Sequence, residues 1–186
     1  MTMNTINKLR PYQREVASAI LDSVFGRKGL TFSVEMARQG GKNELSAQLE
    51  LLLLTFYMAQ PQNLVKCSPT FKPQTVISMM RLKDRLNDAG FSGIWTAELG
   101  YIIRLGNARA IFLSADESAN VVGNTAHILL EIDEAQDVSK EKYSKEFKPM
   151  GQPPTSPPST TAPPGTTPPC SRRSSRATLS WRGRTG

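Results

Sequence analysis

An α/β fold with a mainly parallel sheet flanked by helices is what this sequence predicts, and three observations predict it. Short apolar runs alternate with longer stretches of helical periodicity between residues 10 and 132. A Gly-Gly turn leads from the first of those runs into the longest helical stretch, and a later apolar run ends in two adjacent acids. Strands separated by helices pair in parallel, because each crossover returns the chain to the same end of the sheet.

Val16, Ala19, Ile20 and Val24 lie at helical spacing between Arg10 and Phe25, with Pro11 suited to a first turn and Gly26 placed to end it. Leu30 to Val34 is a first strand. From Lys42 a helical pattern runs to about Ala59, and Asn63 to Cys67 forms a second strand. Lys72 to Ala89 reads as a helix with Val76, Met79, Met80 and Leu86 toward the core. Tyr101 to Leu105 and Ala110 to Leu113 make a hairpin across Gly106 and Asn107. His127 to Ile132 supplies a further buried strand that ends at Asp133.

Length and composition narrow the class. With 186 residues the chain has room for one domain, and 39% hydrophobic with 21% charged residues excludes a collagen, a coiled coil and a wholly disordered chain. The apolar stretch Leu51 to Met58 falls far short of the roughly 20 residues that span a bilayer. Met1 to Asn7 is polar and carries no export signal, so the expected location is the cytoplasm, with no membrane partner. Cys67 and Cys170 suggest neither a disulfide framework nor a zinc site. The net charge of +7 is uneven: residues 151–186 hold five arginines and no acid, which leaves +2 for the first 150 residues. Global charge is therefore no nucleic-acid signature.

Glu35-Met-Ala-Arg38-Gln39-Gly40-Gly41-Lys42-Asn43 sits between a strand and a helix. A phosphate-binding loop needs that setting, since backbone N–H groups wrap the phosphates and the helix N-terminus adds partial positive charge. Gly40 and Gly41 permit close backbone approach, and Lys42 adds a point charge. Met36 stands where the usual motif has its first glycine, and Asn43 where it has a magnesium-binding hydroxyl; an Asn carbonyl can ligate a hard cation or hold one of its waters. The bland reading is a Gly-Gly-Lys turn that merely opens a helix.

Ile128-Leu-Leu-Glu-Ile-Asp133-Glu134-Ala-Gln136 ends a strand in two carboxylates. Asp133 at the carboxyl edge of a sheet can hold a Mg2+ shell, and Glu134 can polarise an attacking water. Alone the pair reads as a solvated turn; about 90 residues after a phosphate loop it reads as nucleotide hydrolysis in a P-loop fold. Tyr12 and Gln13 offer a stacking ring and a bidentate amide to an adenine edge, or else are a half-buried Tyr and a surface Gln. Arg38 reaches either a terminal phosphate or a loop salt-bridge partner. His127, the one histidine, is a packed or capping residue. Ser114 to Thr125 is a polar loop near the site.

Arg10-Pro-Tyr-Gln13, Ala37 to Asn43, Cys67-Ser-Pro-Thr70, Ser114-Ala-Asp-Glu, Val122-Gly123 and Leu130 to Gln136 occur in the order found in phage terminase large subunits, the ATPase motors that package viral DNA. The chain resembles that family over residues 8 to 150. The resemblance implies that Gln13 recognises adenine, Gln39 to Asn43 bind ATP with Lys42 on its phosphates, and Arg38 is an arginine finger in cis. It further implies that Asp133 organises Mg2+ and that Glu134 is the catalytic carboxylate. Its partners would be double-stranded DNA, a portal and procapsid, the small terminase subunit and further copies of the motor. The family's nuclease domain is not readable here, because no acid cluster follows Glu146.

Eight of the thirteen prolines fall between Pro153 and Pro169, and a Pro/Ser/Thr/Arg-rich stretch is expected to be a disordered tail over residues 151–186, after a partial ATPase domain at 1–150. Degenerate codons read one base earlier from Gly151 permit an alternating, strand-like string, so out-of-frame translation is the expected origin of the tail. A domain truncated after Asp133 would bind nucleotide weakly and turn over poorly. Two other classes remain: a helicase-like P-loop ATPase, stimulated by free nucleic acid, and a nonenzymatic product whose basic tail binds nucleic acid or an SH3-like groove.

Overall fold

The structure, a computed structural model, describes residues 9–37, 39–116, 123–151 and 177–183. Helix α1 (Pro11–Phe25) begins with proline in its first turn, where the missing N–H costs nothing, and buries Ala17, Ile20, Leu21 and Val24. Strand β1 (Thr31–Met36) follows, then α2 (Lys42–Tyr57), β2 (Asn63–Ser68) and α3 (Val76–Asp88). A widened turn at Phe71–Thr75, broken by extended backbone at Lys72, makes α3 start later than the periodicity predicts. Met80 is a second correction: expected in the core, it is 58% exposed, because Met79, Leu82 and Leu86 already fill the buried stripe.

Strands β3 (Trp95–Glu98), β4 (Ile102–Leu105) and β5 (Ala108–Ser114) form an antiparallel meander, of which β4 and β5 are the expected hairpin. Strand β6 (Leu129–Ile132) is buried throughout, as a central parallel strand must be. Short helical turns occupy residues 140–150.

The expectation of a tail disordered throughout 151–186 fails at Ala177–Gly183, which form strand β7. The sheet order is β1-β7-β6-β2-β5-β4-β3, with β7 parallel to both of its neighbours. Pro/Ser/Thr composition hid a period-two pattern, Ala177, Leu179 and Trp181, and all three side chains are fully buried against the α1–α3 face. Strand β7 thus fills the position between β1 and β6.

Two apolar layers sandwich the sheet. One joins α1, α2 and α3 to Leu64, Phe112, Leu129 and Trp181; the other packs Phe147 and Met150 against Val65, Leu113, Leu130 and Ile132. The alternation of Leu64 with Val65, and of Leu129 with Leu130, shows both faces of the central strands covered. No helix among the described residues is long and apolar enough to cross a membrane.

Candidate active site

Because β1, β7 and β6 run parallel, the turn after β1 and the acids after β6 emerge at the same edge of the sheet. Gln39 and Gly41 take left-handed backbone (φ 62° and 76°), and Gly40 N–H donates to Ala37 O at 2.9 Å. These turns deliver the chain into α2 with Gly41 as N-cap and no side chain capping the helix. The first-turn N–H groups of α2 are left for an anion, which the helix dipole also favours.

Lys42 Nζ lies 2.7 Å from Asp133 Oδ1 and also donates to Glu134 Oε1. The side chains are 17% and 8% exposed for Lys42 and Asp133, so the pair is only partly screened by solvent. Burial works to lower the Lys42 pKa, but the charge and hydrogen bond of Asp133, followed by those of Glu134, outweigh it and hold the ammonium above its ordinary value. The side chain therefore stays a cation at any physiological pH.

Glu134 adopts left-handed backbone (φ 45°, ψ 53°), a conformation costing a non-glycine residue about 1 kcal/mol or more. Its N–H donates to Asp133 Oδ1 at 3.0 Å, and Gln136 Nε2 donates to its Oε2 at 2.6 Å. The tight turn aims both acids at Lys42 at the expense of strain, a pattern typical of functional sites.

A cleft of about 430 Å3 opens between these elements, lined by Gln39 to Glu44 and by Glu134, and bordered by Met36, Ala37 and Arg81. That volume is within the range of small-molecule sites. Asn43 faces the cleft beside Lys42, while Arg38 lies outside the described residues.

Gln13 is 4% exposed, not the surface residue of the bland reading, and Tyr12 is exposed. Gln13 Nε2 donates to Gly41 O at 3.0 Å and Gly40 O at 3.3 Å, and its Oε1 accepts from Arg10 N–H at 2.8 Å. Tyr12 OH donates to Gly40 O at 2.8 Å. Both side chains tie α1 to the glycine turn. His127 Nδ1 accepts from Asn63 N–H at 3.2 Å, the packing role expected of it. The polar loop 114–125 lies partly outside the described residues.

Behind the cleft is a buried charge cluster that motif reading missed. Lys66 on β2 pairs with Glu50 of α2 (3.0 Å) and Glu131 of β6 (3.1 Å); Ser46 and the Trp181 indole N–H also donate to Glu131, the latter at 2.8 Å. Lys66 and Glu131 are partners in the β2–β6 register. One signal could have found them: a charge inside each of two otherwise apolar strands. Burial, and next the neighbouring Glu131 charge, push the Glu50 pKa up to about 7 against the opposing pull of Lys66.

A mostly parallel sheet flanked by helices thus brings the glycine-containing turn and the acid-tipped strand to one edge. The fold is that of the phage large terminase ATPase domain. The chain superposes on the HK97 bacteriophage large terminase with a TM-score of 0.65 at 17% identity, covering 94% of this chain and 33% of that one. For the Thermus phage P74-26 large terminase ATPase domain the TM-score is 0.54 at 16% identity, over 66% of this chain and 54% of that. The large terminase of a thermophilic bacteriophage, solved in complex with ADP, gives 0.54 at 13% identity, over 90% and 37%. The chain thus spans between a third and just over half of these structures. No protein-family model and no curated protein sequence matches it.

Proposed function

We propose that this chain is the ATP-binding and ATP-hydrolysing part of a phage DNA-packaging terminase large subunit. The observation that carries the proposal is the meeting of Lys42 with Asp133 and Glu134 at the mouth of an uncapped helix N-terminus. Nothing in a structural core calls for a strained acid turn aimed at a loop lysine 92 residues away in sequence.

The donor set fits a magnesium nucleotide. Magnesium is usually held by one or two carboxylates together with substrate phosphates, and Asn43 in the cleft lining with Asp133 beside the Lys42 ammonium would supply such a partial shell. When bound, the ion would neutralise charge across the β and γ phosphates. Lys42 and the N–H groups of Gly41 and the first turn of α2 hold the phosphates; Lys42 exchanges carboxylate partners for phosphate oxygens. With that lysine on the phosphates, Glu134 accepts a hydrogen bond from the attacking water, oriented by Gln136 on its other oxygen. Tyr12 and Gln13 keep the glycine turn in place and border the side on which the base would lie. Arg38, within the turn, is assigned the transition-state cation in cis.

The thermophilic-phage terminase was solved with ADP, which supports a nucleotide as ligand here. For the whole protein we assign double-stranded DNA as the transported polymer, with a portal and procapsid, a small terminase subunit and further motor copies as partners in the bacterial cytoplasm. Phosphate release by the purified chain tests the catalytic part. Hydrolysis lost in Lys42→Ala and in Glu134→Gln is the expected result, and hydrolysis indifferent to Lys42→Ala overturns the assignment.

A further inference from the structure

Arg81, on the helix after β2, borders the same cleft as Lys42 and Glu134, although no motif points to it. Its side chain is 42% exposed, and its ion pair is a loose one: Nη1 lies 3.6 Å from Glu44 Oε2, beyond a normal hydrogen bond. Glu44 does not depend on it. Glu44 Oε1 accepts from Gln48 Nε2 at 2.7 Å, and Arg85 Nη1, which pairs with Asp88 Oδ2 at 3.1 Å, stands 3.7 Å from it, so the carboxylate keeps a hydrogen bond and a nearby positive charge when Arg81 leaves. Helix α3 is itself anchored by Met79, Leu82 and Leu86, which leaves the Arg81 side chain as the movable part.

The direction of approach matters. Strand β2 lies beyond β6 from β1, so α3 reaches the cleft from the side of the acidic strand, where a terminal phosphate and its attacking water would be. A planar, permanently charged guanidinium suits two phosphate oxygens better than one distant carboxylate.

We propose that Arg81 is a binding residue for the terminal phosphate, exchanging Glu44 for phosphate oxygens when a nucleoside triphosphate occupies the cleft. The inference rests on the nucleotide-binding reading above and adds a determinant that distinguishes triphosphate from diphosphate.

Fluorescent analogues of ADP and of a nonhydrolysable ATP, titrated with magnesium into the full chain, test it. Arg81→Ala should weaken the triphosphate analogue about tenfold and the diphosphate less than twofold, with partial recovery in Arg81→Lys. Glu44→Gln, which releases Arg81 from its carboxylate, should strengthen triphosphate binding relative to diphosphate. If Lys42→Ala abolishes binding of both analogues while Arg81→Ala leaves their affinity ratio unchanged, the Arg81 inference fails and the nucleotide site stands. If Glu44→Gln weakens the triphosphate as much as Arg81→Ala does, the pair is a structural strut and the inference again fails. If Lys42→Ala binds both analogues like the parent chain, the functional reading itself falls and takes the inference with it.

Discussion

Replacing Lys66 by methionine removes the one cation from a cluster that holds two buried carboxylates. Lys66, Glu50 and Glu131 are 2%, 0% and 0% exposed, so water cannot substitute for the lost ammonium. Methionine fills most of the volume, and the cost is therefore electrostatic rather than a cavity. Breaking a buried pair by deleting one partner typically costs about 3–5 kcal/mol. For a domain of this size that is a fall in Tm of roughly 10–15 °C. The deficit has a pH signature. Glu50 in the folded chain is pushed by burial above the ordinary carboxylate value to about 7, so its neutral form is favoured by the fold. That contribution is fully present below the unfolded pKa and is lost as pH rises through about 7, a swing on the order of 3 kcal/mol. Lys66 works in a different range: burial opposes its charge, but Glu131 and Glu50 together raise its pKa, so the stability it contributes is lost only above the ordinary lysine value. Between pH 5 and 8 the carboxylate governs, and Lys66→Met should steepen the decline because the opposing cation is gone. Thermal melts followed by circular dichroism at pH 5, 6.5 and 8 measure both effects. A Tm at pH 8 within about 2 °C of the parent chain would refute the reasoning, since that shift corresponds to less than about 1 kcal/mol.

Gly41→Ala meets two obstacles, a φ of 76° and a new Cβ 2.5 Å from Gln13 Nε2. It should lower stability by about 1–3 kcal/mol and loosen the turn, read as a lower Tm and weaker nucleotide affinity. Glu134→Gly relieves left-handed strain and should raise the Tm by a few degrees, about 1 kcal/mol, while abolishing phosphate release. Trp181→Ala empties a fully buried site and strips Glu131 of a hydrogen bond; a loss of about 3–5 kcal/mol is expected in urea unfolding, with loss of nucleotide binding as β1 and β6 part.

Motif and pattern made one half of the site legible. Gln39 to Lys42 and Asp133-Glu134 are contiguous segments whose chemistry is visible in their residue types, and a parallel sheet forces their ends to one edge. Contacts between distant segments were less visible. Gln13 fits equally well on paper as a surface residue, and only the approach of α1 to the glycine turn commits its amide to Gly40 and Gly41. Lys66 and Glu131 each look like an isolated charge in an apolar strand until the β2–β6 register puts them side by side. Strand β3 carries Thr96 and Ala97 on an exposed edge, too weak a pattern to announce itself, and β7 was masked by the composition of the residues before it.

The account turns on a single arrangement, in which the ammonium of the glycine turn and the acids of β6 address the same phosphates. A crystal structure of the chain with magnesium and a nonhydrolysable ATP analogue measures it directly. The account predicts Lys42 Nζ on the terminal phosphates, Asp133 on the shell of the metal and Glu134 turned toward the water in line with the last phosphorus. A nucleotide seated elsewhere, with the Lys42–Asp133 ion pair still intact, would contradict it.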